Sequence, residues 1–124
     1  YTHYSEAAHV FYRDGYYYFT WSKNDTRSVD YEVRYVRSKS PVGPINPAES
    51  KVILCKKPDQ GIYATGHHSV VQVPGKDEWY VVYHRFKFPD AVTKGRDAGF
   101  HREVCIDKLY FDNEGNIKPV VPML

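Results

Sequence analysis

The 124-residue sequence has little cysteine and no long apolar run, and both shortages exclude classes of protein. Its two cysteines, Cys55 and Cys105, match no zinc-binding spacing and lack the charged neighbours of an activated thiolate. We expect two free, buried thiols, although the sequence leaves a disulfide between them open. No apolar run approaches the length that crosses a membrane, so we expect a soluble chain without a membrane partner.

A strong charge of one sign is also missing. The net charge is +2, and basic residues are scattered among acidic ones along the whole sequence. We therefore expect no nucleic-acid partner. The sequence starts at Tyr1 with neither an initiator methionine nor a signal sequence. We expect it to be the middle or the end of a longer protein.

What the chain does contain is aromatic and turn-forming residues. Aromatic residues make up 16% of it, glycine and proline contribute eight residues each, and stretches with helical periodicity are absent. This composition predicts an all-β fold with many turns. Two predicted hairpins begin about sixty residues apart, at residues 6–22 with a turn at 13–15 and at residues 61–85 with a turn at 74–77.

Each hairpin is followed by two further predicted strands, at residues 31–37 and 51–55 in the first set and at residues 103–111 and 117–121 in the second. Two successive four-stranded antiparallel meanders predict two β-propeller blades, residues 1–57 and 58–124. A jelly roll or sandwich is the alternative. Two blades alone leave sheet faces and edges uncovered. We therefore expect an incomplete propeller, whose remaining blades come from the missing N-terminal part or from another chain.

The start of each inner strand is where a propeller can place functional side chains. Glu6 opens the first inner strand among apolar neighbours, which favour the protonated carboxyl that a general acid needs. A solvated glutamate at a strand end is the alternative. His67 and His68 are adjacent, so on a strand they point to opposite sides and cannot chelate one ion together. His67, which follows a glycine, is the candidate for the channel, and a packed histidine is the alternative.

Arginine and aromatic side chains are candidates for sugar contacts. Arg27, Arg34, Arg96 and Arg102 can hydrogen-bond a polyhydroxyl or anionic ligand, and Trp21 can stack on a sugar face. Most side chains of these types are solvated or belong to the core. The loops at residues 23–30 and 86–101 are expected on the same face as Glu6 and His67.

Residues 5–22, 31–44 and 61–71, followed by residues 78–85 and 102–120, together resemble glycoside hydrolase family 43 over nearly the whole chain. The resemblance implies a five-bladed β-propeller, in the periplasm or outside the cell, that hydrolyses arabinofuranosides, xylosides or related linkages with inversion. It implies that Glu6 is the general acid and that Arg102 contacts a substrate hydroxyl. It also implies that His67 helps to hold a cation in the central channel, often a structural calcium ion, partly through water.

Two carboxylates of the family have no counterpart in this sequence: the general-base aspartate and the aspartate that orients the acid. Inverting hydrolysis needs two carboxyl groups roughly 6.5–9.5 Å apart, so we expect this chain alone to be inactive. The sequence thus predicts the C-terminal part of the catalytic domain of a glycosidase, acting on arabinofuranosyl bonds of plant oligosaccharide or polysaccharide. The alternatives are a carbohydrate-binding propeller without catalysis and a structural fragment that closes a ring with a partner chain.

Overall fold

A computed structural model describes residues 5–24, 30–60, 62–87 and 102–122. The predicted site residue Arg27 lies outside the described residues, as do Arg96 and most of the loop at residues 86–101. The strands are β1 (Ser5–Arg13), β2 (Tyr16–Lys23), β3 (Glu32–Ser38), β4 (Lys51–Leu54), β5 (Gly66–Gln72), β6 (Trp79–Phe86) and β7 (Arg102–Leu109). Two 3-10 turns, Pro47–Glu49 and Pro58–Gln60, flank β4. No helix in the described part of the chain has the length and apolar character that a membrane span requires.

The strands form two antiparallel sheets, which confirms the predicted all-β class. The first sheet has the order β1-β2-β3-β4 and the second has the order β5-β6-β7. Both predicted hairpins are present, with Arg13 paired to Tyr16 across the first turn and Gln72 paired to Trp79 across the second. Each described sheet is therefore a meander of neighbouring strands, as in the blades of a β-propeller.

The predicted eighth strand at residues 117–121 was wrong. One bridge joins Ile117 to Phe111, and the pairing ends after the Lys118 N–H donates to the Tyr110 carbonyl. The Val120 N–H then turns to the first sheet and donates to the Ile53 carbonyl of β4, at 2.7 Å. The Ile117 N–H, which faces away from Phe111 in this register, donates to the Tyr35 hydroxyl of the first sheet, at 3.0 Å. The segment after β7 thus ties the second sheet to the first.

The core lies between the two sheets and is rich in aromatic rings. Phe11 stacks on Tyr18 with ring centroids 4.8 Å apart, and Trp79 of the second sheet packs against Phe11 at 5.1 Å. Tyr18 is fully buried, and its hydroxyl donates to the Gly115 carbonyl, at 2.5 Å. Both cysteines are free thiols and only partly buried, and burial raises the pKa of Cys105.

Both inner strands begin with a β-bulge, and the two bulges occupy equivalent places. The β1–β2 register shifts between Glu6 and His9, and the β5–β6 register shifts between Gly66 and Ser69. The residue that follows Glu6 has a φ of 57°, and His67, which follows Gly66, has a φ of 51°. A bulge re-aims the side chains at the end of a strand. The counterpart of Glu6 is therefore Gly66, one residue before the predicted His67.

The second sheet leaves its other face largely uncovered. Cross-strand pairing puts Val82 opposite Ile106 and His84 opposite Val104, and paired residues share a face. Val104 is 78% exposed and Ile106 is 61% exposed, whereas Asp107 and Leu109 point into the core. We call the surface formed by Val71, Val82, Val104 and Ile106 the outer face.

Candidate functional site

Polar side chains from both sheets meet where the two inner strands begin. The group, here called the polar cluster, joins β1, β2, the residue before β3, and the adjoining ends of β5, β6 and β7. Its members are Glu6, Ser22, Tyr31, His67, His84 and Arg102. Three of them, Glu6, His67 and Arg102, are predicted site residues.

The carboxyl of Glu6 is held by a buried phenol. The Tyr31 hydroxyl donates to Glu6 Oε1 at 3.1 Å, across 25 positions of sequence. Ser22 pairs with Glu6 in the β1–β2 ladder, and its side chain lies close enough to the Tyr31 phenol to lower the pKa of that phenol. The His67 backbone N–H donates to Ser22 Oγ at 2.8 Å. These contacts link the start of β5 to the carboxyl of Glu6.

Tyr31 is completely buried, so its hydroxyl stays protonated over a wide pH range. Burial raises the pKa of Tyr31, and the nearby Glu6 carboxyl raises it further. A neutral phenol has one proton to donate. Tyr31 is therefore a permanent hydrogen-bond donor to Glu6.

Arg102 fixes the protonation of His84. Arg102 Nε donates to His84 Nδ1 at 2.7 Å, and its Nη2 donates to the Ala64 carbonyl. Because a guanidinium has no acceptor atom, His84 Nδ1 must carry the lone pair and Nε2 the proton. Burial lowers the pKa of His84 to about 4, and the Arg102 charge and His67 lower it as well. His84 is thus a neutral donor near neutral pH.

Arg102 remains charged although it is partly buried. Burial lowers the pKa of Arg102 to about 10, which still leaves the guanidinium protonated near neutral pH. The guanidinium lies 4.9 Å from the ring centroid of Phe86 and 5.8 Å from that of Tyr31. These cation–π contacts orient a planar cation beside Tyr31, where it can donate hydrogen bonds to an oxygen-rich ligand.

The two adjacent histidines go to opposite sides, as predicted. The His67 ring is exposed and stacks on His84, with centroids 5.5 Å apart and planes 21° apart. His68 is buried between the sheets, and its Nε2 lies 2.6 Å from Thr20 Oγ1. Thr20 gives its only proton to the His9 carbonyl, so Nε2–H donates to Thr20 and the buried Nδ1 lone pair has no partner among the described residues.

The described residues do not by themselves form a calcium site. No group of three or more His, Cys, Asp or Glu side chains lies close enough together in the described ranges to hold a metal ion. Calcium prefers six to eight oxygen ligands, and His67 offers one imidazole nitrogen. The calcium ion predicted for the central channel stays a prediction.

Trp21 lies apart from the polar cluster. It belongs to β2, and the alternation of that strand puts it on the face opposite Thr20 and Ser22. It pairs with Arg34 of β3 and is partly exposed. The structure therefore brings Glu6, His67 and Arg102 together and places Trp21 on another surface.

Sequence reasoning missed Ser22, Tyr31 and His84. Tyr31 is the first residue of the predicted strand at residues 31–37, and His84 lies in the predicted hairpin at residues 61–85; neither was singled out as a site residue. The hairpin register offered only an approximate signal. Counting back from the two turns puts Ser22 opposite Ala7 and His84 opposite His67, and the bulges shift the observed partners by one residue, to Glu6 and Gly66. These are equivalent ladder positions in the two sheets.

Comparison with known proteins gives consistent matches. The sequence profile described as Glycosyl hydrolases family 43 matches residues 1–117. A beta-D-galactofuranosidase, xynD, of Aspergillus niger is 37% identical over 117 residues, which are 94% of this chain and 32% of that protein. A beta-xylosidase of Xylanibacter ruminicola is 34% identical over 115 residues, covering 93% of this chain and 30% of that protein. The chain thus spans about a third of the length of these curated relatives.

Solved structures give the same picture. A thermostable family-43 glycoside hydrolase superposes with a TM-score of 0.80 at 36% identity, covering 97% of this chain and 36% of the other. An alpha-L-arabinofuranosidase from Clostridium thermocellum gives a TM-score of 0.62 at 32% identity, covering 95% of this chain and 36% of the other. The strand arrangement described above is therefore shared with about a third of each of these larger chains.

Proposed function

This chain belongs to glycosyl hydrolases family 43, and from that membership we propose that it supplies the general acid of a glycosidase, with Glu6 in that role. Its two sheets are blades of the family's five-bladed β-propeller. The reaction is hydrolysis of a glycosidic bond with inversion, carried out by the complete protein. The general base comes from outside these 124 residues.

The observation that carries the proposal is the placement of Glu6. Its carboxyl is partly buried, is held on one oxygen by Tyr31, and lies in a cluster with a charged arginine and two histidines. A general acid needs a fixed carboxyl within reach of the leaving oxygen. In the proposed reaction, Glu6 gives its proton to that oxygen while a base on the opposite side of the sugar activates water.

Arg102 is the substrate-binding residue of the proposal. Its guanidinium presents several donors in one plane and is already oriented by His84, Phe86 and the Ala64 carbonyl. A planar cation of this kind can donate hydrogen bonds to sugar hydroxyls without further ordering cost. Arg27 and Trp21 stay candidates for contacts farther along the polysaccharide.

We place an arabinofuranosyl group first among the substrates. The relatives named above are a galactofuranosidase, a xylosidase and an arabinofuranosidase, so xylosides and galactofuranosides are the competing choices. A pentofuranosyl residue differs from these sugars by single hydroxyl or hydroxymethyl groups. A panel of 4-nitrophenyl glycosides of the three sugars, tested with the complete protein, decides among them.

The remaining blades are the proposed macromolecular partners. The outer face exposes Val104 and Ile106 almost as fully as loop residues, and a blade of a closed propeller buries both of its faces. We propose that a further blade of the complete protein covers this surface. The polysaccharide then meets the polar cluster at the end of the inner strands.

The test is Glu6→Gln in the complete protein, with hydrolysis of an arabino-oligosaccharide as the readout. Loss of a general acid lowers turnover of a natural substrate by about 10²–10⁴-fold, while glutamine keeps the hydrogen bond from Tyr31 and the fold. Unchanged turnover would refute the assignment. If the wild-type protein binds the oligosaccharide in calorimetry but releases no sugar, the chain belongs to a carbohydrate-binding propeller instead.

A further inference from the structure

Two hydrogen bonds of fixed direction lie beside Glu6. The first starts at the His67 backbone N–H, which can only donate, so Ser22 Oγ accepts it, at 2.8 Å. The second runs from the Tyr31 hydroxyl to Glu6 Oε1, at 3.1 Å. Ser22 pairs with Glu6 in the β1–β2 ladder and lies close enough to Tyr31 to lower the pKa of its phenol. The second sheet thus approaches Glu6 through Ser22, while Tyr31 donates to its carboxyl directly.

Packing holds both hydrogen bonds in place. Ser22 and Tyr31 are both completely buried, so water does not compete for their hydroxyls. The Tyr31 ring lies against Gly66 on one side and stacks near His84, with centroids 6.3 Å apart. Gly66 and His84 belong to the second sheet, so this packing holds Glu6 from that sheet although Glu6 itself belongs to the first.

We propose that Tyr31 is a positioning residue for Glu6: it occupies Oε1 and so assigns the transferable proton to Oε2. This inference rests on the proposed function of Glu6. Among the described residues no hydrogen bond is made to Oε2, which leaves that oxygen for the substrate.

The proton transfer then follows one route. The proton leaves Oε2 for the glycosidic oxygen as the bond from that oxygen to the anomeric carbon breaks, and the electron pair of that bond stays on the oxygen. Water adds its hydroxyl to the anomeric carbon and gives its proton to the general base. The Glu6 carboxylate that remains keeps the hydrogen bond from Tyr31, which becomes charge-assisted and therefore stronger at this moment.

The experiment compares Tyr31→Phe with Tyr35→Phe in the complete protein. Both variants delete one buried tyrosine hydroxyl and keep the ring, but Tyr35 bonds to the Ile117 N–H, outside the polar cluster. For Tyr31→Phe we expect a 10- to 100-fold lower kcat on an arabino-oligosaccharide with little change in KM. Each tenfold loss of kcat corresponds to about 1.4 kcal/mol of activation free energy. On a dinitrophenyl glycoside of the same sugar the kcat loss should be smaller, because that leaving oxygen needs no proton.

Ser22→Ala is the second variant. It removes the hydroxyl that accepts from the His67 amide beside Tyr31, and it should lower kcat by a smaller amount. Equal kcat values for Tyr31→Phe and Tyr35→Phe on the oligosaccharide would overturn the inference. Glu6→Gln, measured in parallel, distinguishes failure of the positioning role of Tyr31 from failure of the proposed function of Glu6. If Glu6→Gln is inactive while Tyr31→Phe behaves as wild type, only the positioning role fails. If Glu6→Gln is fully active, the proposed function fails, and the positioning role fails with it.

Discussion

The ring of Tyr31 occupies the space that a side chain at Gly66 would need. A Cβ built on Gly66 would lie 2.6 Å from Tyr31 Cδ2 and 2.9 Å from Cζ, closer than real carbon atoms approach. Gly66 needs no left-handed backbone here, so the requirement for glycine is one of space. The residue that pairs with His84 in the second sheet thus makes room for the tyrosine that holds Glu6.

We predict that Gly66→Ala lowers both stability and activity of the complete protein. Overpacking of this kind costs about 1–3 kcal/mol, and displacing Tyr31 should lower kcat. The matched control is Gly75→Ala, at a turn with a φ of 76° and nothing within 4 Å of the added methyl group. Its backbone strain costs about 1–2 kcal/mol without touching the polar cluster. Chemical denaturation should show a similar loss of stability for both variants, whereas kcat should fall only for Gly66→Ala. A wild-type kcat for Gly66→Ala would contradict the packing argument.

Two histidines, the buried His68 and the partly buried His84, should make stability fall in mild acid. Burial lowers the pKa of His84 and of His68 to about 4, from an ordinary value of 6.5. Between these values the unfolded chain binds protons that the folded chain does not. The contribution of these histidines to the free energy of unfolding is therefore at its maximum above pH 6.5. It falls as the pH is lowered toward 4, by about 1.4 kcal/mol per pH unit for each histidine.

Urea unfolding of the complete protein between pH 5 and 6 measures this slope. His84→Gln and His68→Gln should each reduce the slope by one proton, since each removes one group that titrates differently in the two states. An unchanged slope in either variant would show that its imidazole titrates normally in the folded protein. Nitrogen-15 NMR of His84 gives an independent check, because its ring should stay in the Nε2–H form down to pH 5.

The outer face should be covered in the complete protein. Val104 on this face and Val42 in the turn after β3 are 78% and 88% exposed in this chain, so exposure alone does not separate them. We predict that Val104→Asp costs about 3 kcal/mol or more in the complete protein, through lost apolar burial and a buried charge. Val42→Asp should change the free energy of unfolding by less than about 0.5 kcal/mol. Equal, small effects of the two substitutions would mean that no blade packs on the outer face.

The strands and turns could be predicted from the sequence because they depend on local residue patterns. Alternating residues and the Gly-containing turns predicted both hairpins, and Glu6 could be selected because it opens a strand. The predicted eighth strand was wrong because the segment leaves β7 for the first sheet, where the Val120 N–H donates to the Ile53 carbonyl. The partners of Glu6 could not be predicted for a similar reason. Tyr31 contacts Glu6 because two bulges and the space left by Gly66 bring separate strands together. Local residue patterns do not predict such a long-range contact.

The most direct test of the account is the dependence of kcat/KM on the leaving group, measured for the complete wild-type protein and for Glu6→Gln. The substrates are glycosides of one sugar whose leaving groups run from dinitrophenol through phenol to a sugar. A general acid matters only when the leaving oxygen needs a proton. We predict near wild-type kcat/KM for Glu6→Gln on the dinitrophenyl glycoside and a loss of about 10²–10⁴-fold on the natural oligosaccharide. An equal loss on every substrate, or none on any, would contradict the assignment of Glu6 as the general acid.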